Sequence, residues 1–191
     1  MGNIEKKGKK LVYISEDLVN EVSEISRSKG ESITKYIENL VAQAIRVDRL
    51  GTLPEGIADI LEMIHVQRVL GGTFVPSGVM NSLCDSFNND GFASRWYESG
   101  RLYGRYLKEK FKDPVRALQL MLRVMRWDLN EVEARRDGEH VVIRCVSTSL
   151  PQEGAEWLLR FIEGAMHGIG YKTVNEECMK GMVICSFAPE R

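Results

Sequence analysis

Four cysteines, three histidines and one cluster of lysines are the residues of this chain from which chemistry could be built. Cys84, Cys145, Cys178 and Cys185 have no CxxC pair and no zinc-type spacing, so no metal site is expected and the thiols should stay reduced in a cytoplasmic protein. Cys145 is in phase with Val141 and Ile143, and Cys185 with Val183 and Phe187, as small buried apolar residues would be; the competing reading makes both of them ligand or redox groups. Cys178 stands near a turn with Glu176, Glu177 and Lys180, a place for an exposed and reactive thiol, although the carboxylates oppose thiolate formation. His65, His140 and His167 fall in different elements, and the chain has no GxSxG, no HExxH and no GxGxxG after a strand. No catalytic residue, no cofactor and no enzymatic activity are expected. Lys6, Lys7, Lys9 and Lys10 against Glu5 give the first ten residues a charge of about +3, which either attracts phosphate or merely solubilises a tail.

The 191 residues are 43% apolar and 28% charged with a net charge of −1, a composition that supports a packed core and argues against a chain coating nucleic acid along its whole surface. No apolar run approaches the roughly 20 residues of a membrane span, and MGNIEKKGKK lacks the apolar stretch of a secretory signal. A cytoplasmic protein with no membrane partner is expected.

The elements that must position these residues begin with a short strand over Lys9–Ser15, where Val12-Tyr13-Ile14 gives way to the helix start Ser15-Glu16-Asp17. Leu18, Val22 and Ile25 line one face of a first helix that ends at Ser28-Lys29-Gly30. A second helix from Thr34 to about Arg49 carries Ile37, Leu40, Val41, Ala44 and Ile45, with Gly51-Thr52-Leu53-Pro54 as a boundary. One strand and two short helices leave too much apolar surface exposed to be stable alone, so a partner chain is required.

The segment KKLVYISEDLVNEVSEISRSKGESITKYIENLVAQAI, Lys9 to Ile45, resembles the ribbon-helix-helix family of MetJ, Arc and CopG type. The resemblance implies a homodimer whose paired strands form a ribbon in the major groove of double-stranded DNA, with dimers of dimers on tandem sites. Lys9, Leu11 and Tyr13 would face the bases, Val12 and Ile14 the dimer core, and Ser32, Ile33 and Thr34 a backbone phosphate at the start of the second helix. Leu11 offers no hydrogen bond to a base, so bidentate readout is absent there and the lysine arm would carry nonspecific affinity. The alternative is a ribbon that only dimerises the chain.

Residues 51–91 are expected as a helical connector, with a helix over Gly56–Val69, a break at Gly71-Gly72, and a polar stretch ending Asn88-Asn89-Asp90-Gly91. From 92 to 191 the pattern predicts helices Phe92–Lys112 and Pro114–Met125, strands Asn130–Arg136 and Glu139–Ser147, helix Gln152–Ile169, and strands Tyr171–Cys178 and Met182–Pro189. Asp137-Gly138 and Lys180-Gly181 serve as hairpin turns. The fold class is therefore α+β, a ribbon-helix-helix dimer module over 1–50 followed by an antiparallel sheet packed with helices. Gly100 and Gly104, with Gly164, Gly168 and Gly170, allow close helix approach, and Trp96, Tyr97, Tyr103, Tyr106, Phe111, Trp127, Trp157 and Phe161 either line a pocket between helix and sheet or form core.

This second half resembles the vinyl-4-reductase domain family through Ser99-Gly100-Arg101-Leu102-Tyr103-Gly104, Val132-Glu133-Ala134, Phe161-Ile162-Glu163-Gly164, and Glu176 to Phe187 with Gly181, Cys185 and Phe187 as its most specific positions. The resemblance implies a sensor of a small molecule, redox state or partner, so the chain as a whole is expected to be a transcriptional regulator. An antitoxin-like protein or a scaffold, binding a protein through the second half, is the alternative.

Overall fold

The computed structural model describes residues 10–49, 56–86 and 90–190, and the chain divides into two compact units, Met1–Pro54 and Glu55–Arg191. Lys6, Lys7, Lys9, the Gly51–Pro54 boundary and Asn88–Asn89 lie outside the described residues. Among the described residues no helix is long and apolar enough to cross a membrane.

In the first unit, helix α1 (Glu16–Ser28) places Glu16 and Asp17 in its first turn and Arg27 in its last, matching the helix dipole at both ends. Gly30 takes φ 68°, the left-handed conformation that lets the chain reverse, and its amide donates to the Arg27 carbonyl while that of Glu31 donates to Ser26. Ser32 then caps α2 (Ile33–Asp48), its Oγ accepting from the Lys35 amide at 3.4 Å. Lys29 Nζ sits 4.8 Å from the centre of the Tyr36 ring and ties the two helices across the turn.

The expected strand over 9–15 is not a strand here: residues 10–15 have no regular structure. A strand exists only as half of a hydrogen-bonded pair, and among the described residues of this unit there is no second strand.

The second unit contains α3 (Ile57–Leu70), α4 (Ser77–Ser86), α5 (Asp90–Lys110), α6 (Pro114–Met125), β1 (Glu131–Asp137), β2 (His140–Val146), α7 (Gln152–Ile169), β3 (Tyr171–Met179) and β4 (Met182–Pro189). The four strands form one antiparallel sheet in the order β1-β2-β4-β3. With the helices this makes an α+β fold. One sheet face, Val141, Ile143, Cys145, Val183, Cys185 and Phe187, is buried beside Leu158, Ile162 and Met166 of α7 and Leu118 and Met121 of α6 in a single core. Both edge strands carry charges, Glu131, Glu133, Arg135 and Arg136 on β1 and Glu176 and Glu177 on β3, which discourage edge-to-edge pairing.

Two expectations need correction. The stretch before Asn88 contains the helix α4, whose Val79, Met80 and Leu83 have helical spacing but sit among the weak helix formers Gly78, Ser77, Ser82 and Asn81. The segment expected as a connector also supplies core, since Met63 and Val66 of α3 are fully buried and the Tyr103 hydroxyl of α5 donates to Gln67 Oε1 at 2.9 Å. Element ends move by one or two residues elsewhere, and the β1–β2 loop is Gly138-Glu139, because Asp137 pairs with His140.

The helices α5 and α7 meet along glycines. A Cβ at Gly100 would strike the Phe161 carbonyl, one at Gly104 the Ala165 carbonyl, and one at Gly164 the Tyr97 carbonyl. At Gly168 it would approach the Arg101 carbonyl and the Arg105 amide. Residue numbers rise together on the two sides of this seam, so the helices run parallel, and only glycine allows backbones this close.

Candidate functional site

The glycine seam fixes Tyr97 on α5 opposite the last turns of α7, and this contact creates a polar network at the edge of the core. The Tyr97 hydroxyl lies 2.9 Å from His167 Nδ1, and His167 Nε2 lies 2.9 Å from Thr173 Oγ1. Thr173 reaches this position because Gly170 caps α7 with φ 111° and turns the chain directly into β3. The Thr173 hydroxyl is also 3.2 Å from Glu163 Oε1, and Arg160 Nη1 donates to Glu163 Oε2 at 2.6 Å. Arg160 also faces Glu176 at 3.4 Å, and its hydrogen bond to Glu163 raises its already high pKa further.

Two proton arrangements satisfy these distances. In one, Tyr97 donates to Nδ1, Nε2–H donates to Thr173, and Thr173 donates to Glu163. In the other, Nδ1–H donates to the Tyr97 oxygen and Nε2 accepts from Thr173, whose backbone amide points at it from 3.3 Å, and the Thr173 hydroxyl gives up its bond to Glu163. Both carry the same number of protons, but only the second frees the Tyr97 hydroxyl to donate elsewhere.

Beside this network is a cleft of about 380 Å³ whose lining includes Tyr97, Arg101, Arg105, His167, Lys172 and Glu190. Arg101 is 3.7 Å from Glu98, whereas among the described residues neither Arg105 nor Lys172 is in an ion pair. A neighbouring cleft of about 510 Å³ shares Lys172 and Glu190 but adds Glu139 and His140.

The cysteines proposed from the sequence lie elsewhere. Cys145 and Cys185 are buried in the core face of β2 and β4, and all three described thiols are free. Burial pushes Cys145 up to about 12 and Cys185 further still, so neither is poised as a thiolate. Cys178 is half-buried rather than exposed, and burial followed by Glu156 and Glu176 raises it to about 11. Among the described residues no group of three or more His, Cys, Asp or Glu is placed to hold a metal ion.

The aromatic residues also divide. Trp157, Tyr103 and Phe161 are buried; Trp96 packs on Trp157 and Phe161, each ring 6.2 Å away, and Tyr103 lies 5.4 Å from Phe161. Trp127 is 83% exposed and lines no interior pocket; it sits 6.2 Å from Phe74. Of the aromatic set, Tyr97 alone joins the polar network, together with His167, which the sequence placed in no constellation, and with Thr173 and Glu163, to which it gave no chemical role. The spacing of Glu163 and His167 by four residues on α7 was the available signal, since it puts both on one face.

In the first unit, Lys10, Leu11 and Tyr13 are exposed, the last two at 80% and 91%. Ser32 is the cap of α2, and Ile33 and Thr34 are its first two residues. Among the described residues of this unit only Ser26 is buried, while Leu18, Ile25, Leu40, Val41 and Ile45 stay open to solvent.

The chain matches no protein-family model and no curated protein sequence.

Proposed function

We propose that this protein is a homodimeric DNA-binding transcriptional regulator, with a ribbon-helix-helix module in its first unit and a sensing domain in its second. The observation that carries this reading is the apolar surface of the first unit. Both helices are amphipathic, yet their apolar residues, together with Leu11, Val12 and Ile14 of the extended segment before them, lack a core of their own. Burial of such side chains contributes roughly 1.5–3 kcal/mol each, so a second copy that covers them and pairs with residues 10–15 stabilises the unit. The ribbon would then carry Tyr13 outward and place the amides at the start of α2 toward a phosphate.

Fluorescence anisotropy of the full chain with duplex DNA across a salt series tests this reading. Steep salt dependence that flattens when Lys6, Lys7, Lys9 and Lys10 are exchanged for alanine is the expected result. Absent binding, or a salt slope indifferent to those exchanges, overturns it. A dimerising scaffold is the second reading. Leu11 favours it, being exposed and unable to hydrogen-bond a base edge.

A further inference from the structure

We propose that the cleft between the last turn of α7 and the middle of α5 is a binding site for a small phosphate dianion, either free phosphate or a phosphate monoester. Arg101 and Arg105 are one helical turn apart on α5, and like charges at that spacing repel. Lys172 at the start of β3 adds a third cation to the same cleft, and Glu190 is the only carboxylate among the described residues that line it. Arg101 is shared with Glu98 while Arg105 and Lys172 are in no ion pair among the described residues, so the cleft keeps an excess of positive charge, and guanidinium groups bind phosphate oxygens in paired, charge-assisted hydrogen bonds.

The end of α7 does not account for this charge. A helix C-terminus attracts cations through its unpaired carbonyls, but the Met166 and His167 carbonyls already accept from the Gly170 amide, and the Gly170 carbonyl accepts from Glu190. The neighbouring cleft is also a poorer match, since Glu139 and Glu190 together oppose an anion there. Tyr97 supplies the remaining element. With Nδ1–H of His167 donating to its oxygen, the tyrosine proton turns into the cleft as a neutral donor, and a bound anion favours this arrangement over the reverse one. The Thr173 hydroxyl and backbone amide both meet Nε2 from behind, so the donor is oriented before the ligand arrives.

As an effector site the cleft rests on the regulator reading above; as a phosphate site it does not. Isothermal titration of the full chain, in a phosphate-free buffer of fixed ionic strength, with inorganic phosphate, phenyl phosphate and acetate separates these points. Saturable binding of one phosphate per chain, with acetate much weaker, is expected. Arg105→Gln and Lys172→Gln should each weaken it by about tenfold or more, and Lys180→Gln, at the β3–β4 turn outside the cleft, should leave it unchanged. Tighter phenyl phosphate identifies an ester as the ligand, and equal affinity identifies free phosphate. Circular dichroism of each variant excludes loss of fold.

Lack of saturable binding, or affinity equal in the wild type and both cleft variants, overturns the proposal. Displacement of phenyl phosphate from the wild type by duplex DNA also overturns it by making the cleft a nucleic-acid surface. Phosphate binding by a chain that binds no DNA keeps the site and removes only the regulator.

Discussion

Gly104 of α5 lies against the Ala165 carbonyl of α7 so closely that a methyl group at position 104 would collide with it. Helix propensity alone favours alanine over glycine by up to about 1 kcal/mol, so the collision and the propensity push in opposite directions. Because the neighbour is backbone, it cannot swing aside, and the collision wins. Gly104→Ala should destabilise the second unit by about 2 kcal/mol in urea unfolding. Gly78→Ala in α4, where a Cβ meets nothing within 4 Å, should be neutral or slightly stabilising. Equal effects at the two sites would remove the seam as a constraint.

A charge on the open face of α2 should break the partnership of the first unit. Ile45 is 49% exposed in the single chain, so Ile45→Glu costs little within it, but in a dimer the glutamate is buried without a partner. Sedimentation equilibrium should show a dimer for the wild type and a monomer for the variant, with the second unit still folded. A variant that remains dimeric would move the interface off this face.

The hydrogen-bond network gives a third test. Thr173 bridges His167 and Glu163, and valine in its place keeps the shape while leaving both partners short of one hydrogen bond. Thr173→Val should destabilise the second unit by about 1–3 kcal/mol and weaken phosphate binding through Tyr97. Unchanged stability with unchanged affinity would make the network incidental.

The core thiols make stability fall in alkali. Burial raises Cys145 from 9.0 to about 12, so below pH 9 both folded and unfolded chains keep the proton and this contribution is fully present. As pH rises from 9 toward 12 the unfolded thiol ionises while the folded one does not, and unfolding free energy falls by roughly 1 kcal/mol per pH unit. Urea titrations across that range should show a shallower decline for Cys145→Ala. Identical slopes would mean that the thiol does not resist ionisation in the fold.

Much of the second unit was legible from its residues because packing there follows local periodicity. Val141, Ile143 and Cys145 alternate with Val142, Arg144 and Val146, and the structure buries the first three against α6 and α7. The segment 77–86 was missed because its apolar spacing is diluted by serine, glycine and asparagine. Val12-Tyr13-Ile14 reads as strand from its residue types, yet strand formation depends on a pairing partner, which no local pattern supplies. The polar network was hidden for a different reason. Tyr97 and His167 are separated by 70 residues, and only the register of the glycine seam brings them together.

That same seam sets a condition on how the protein comes into being. A growing chain completes α5 long before Gly164 and Gly168 have been synthesised, and α6, β1 and β2 must be made and arranged in between. Contacts so distant along the chain form late and slowly, because the intervening loop loses entropy before any of them is made. During synthesis the α5 stripe centred on Gly100 and Gly104 therefore waits without its mate, and a ribosome that pauses before α7 holds an intermediate with an open helix face. The order of translation, as much as the final packing, decides how long that face is available to other chains.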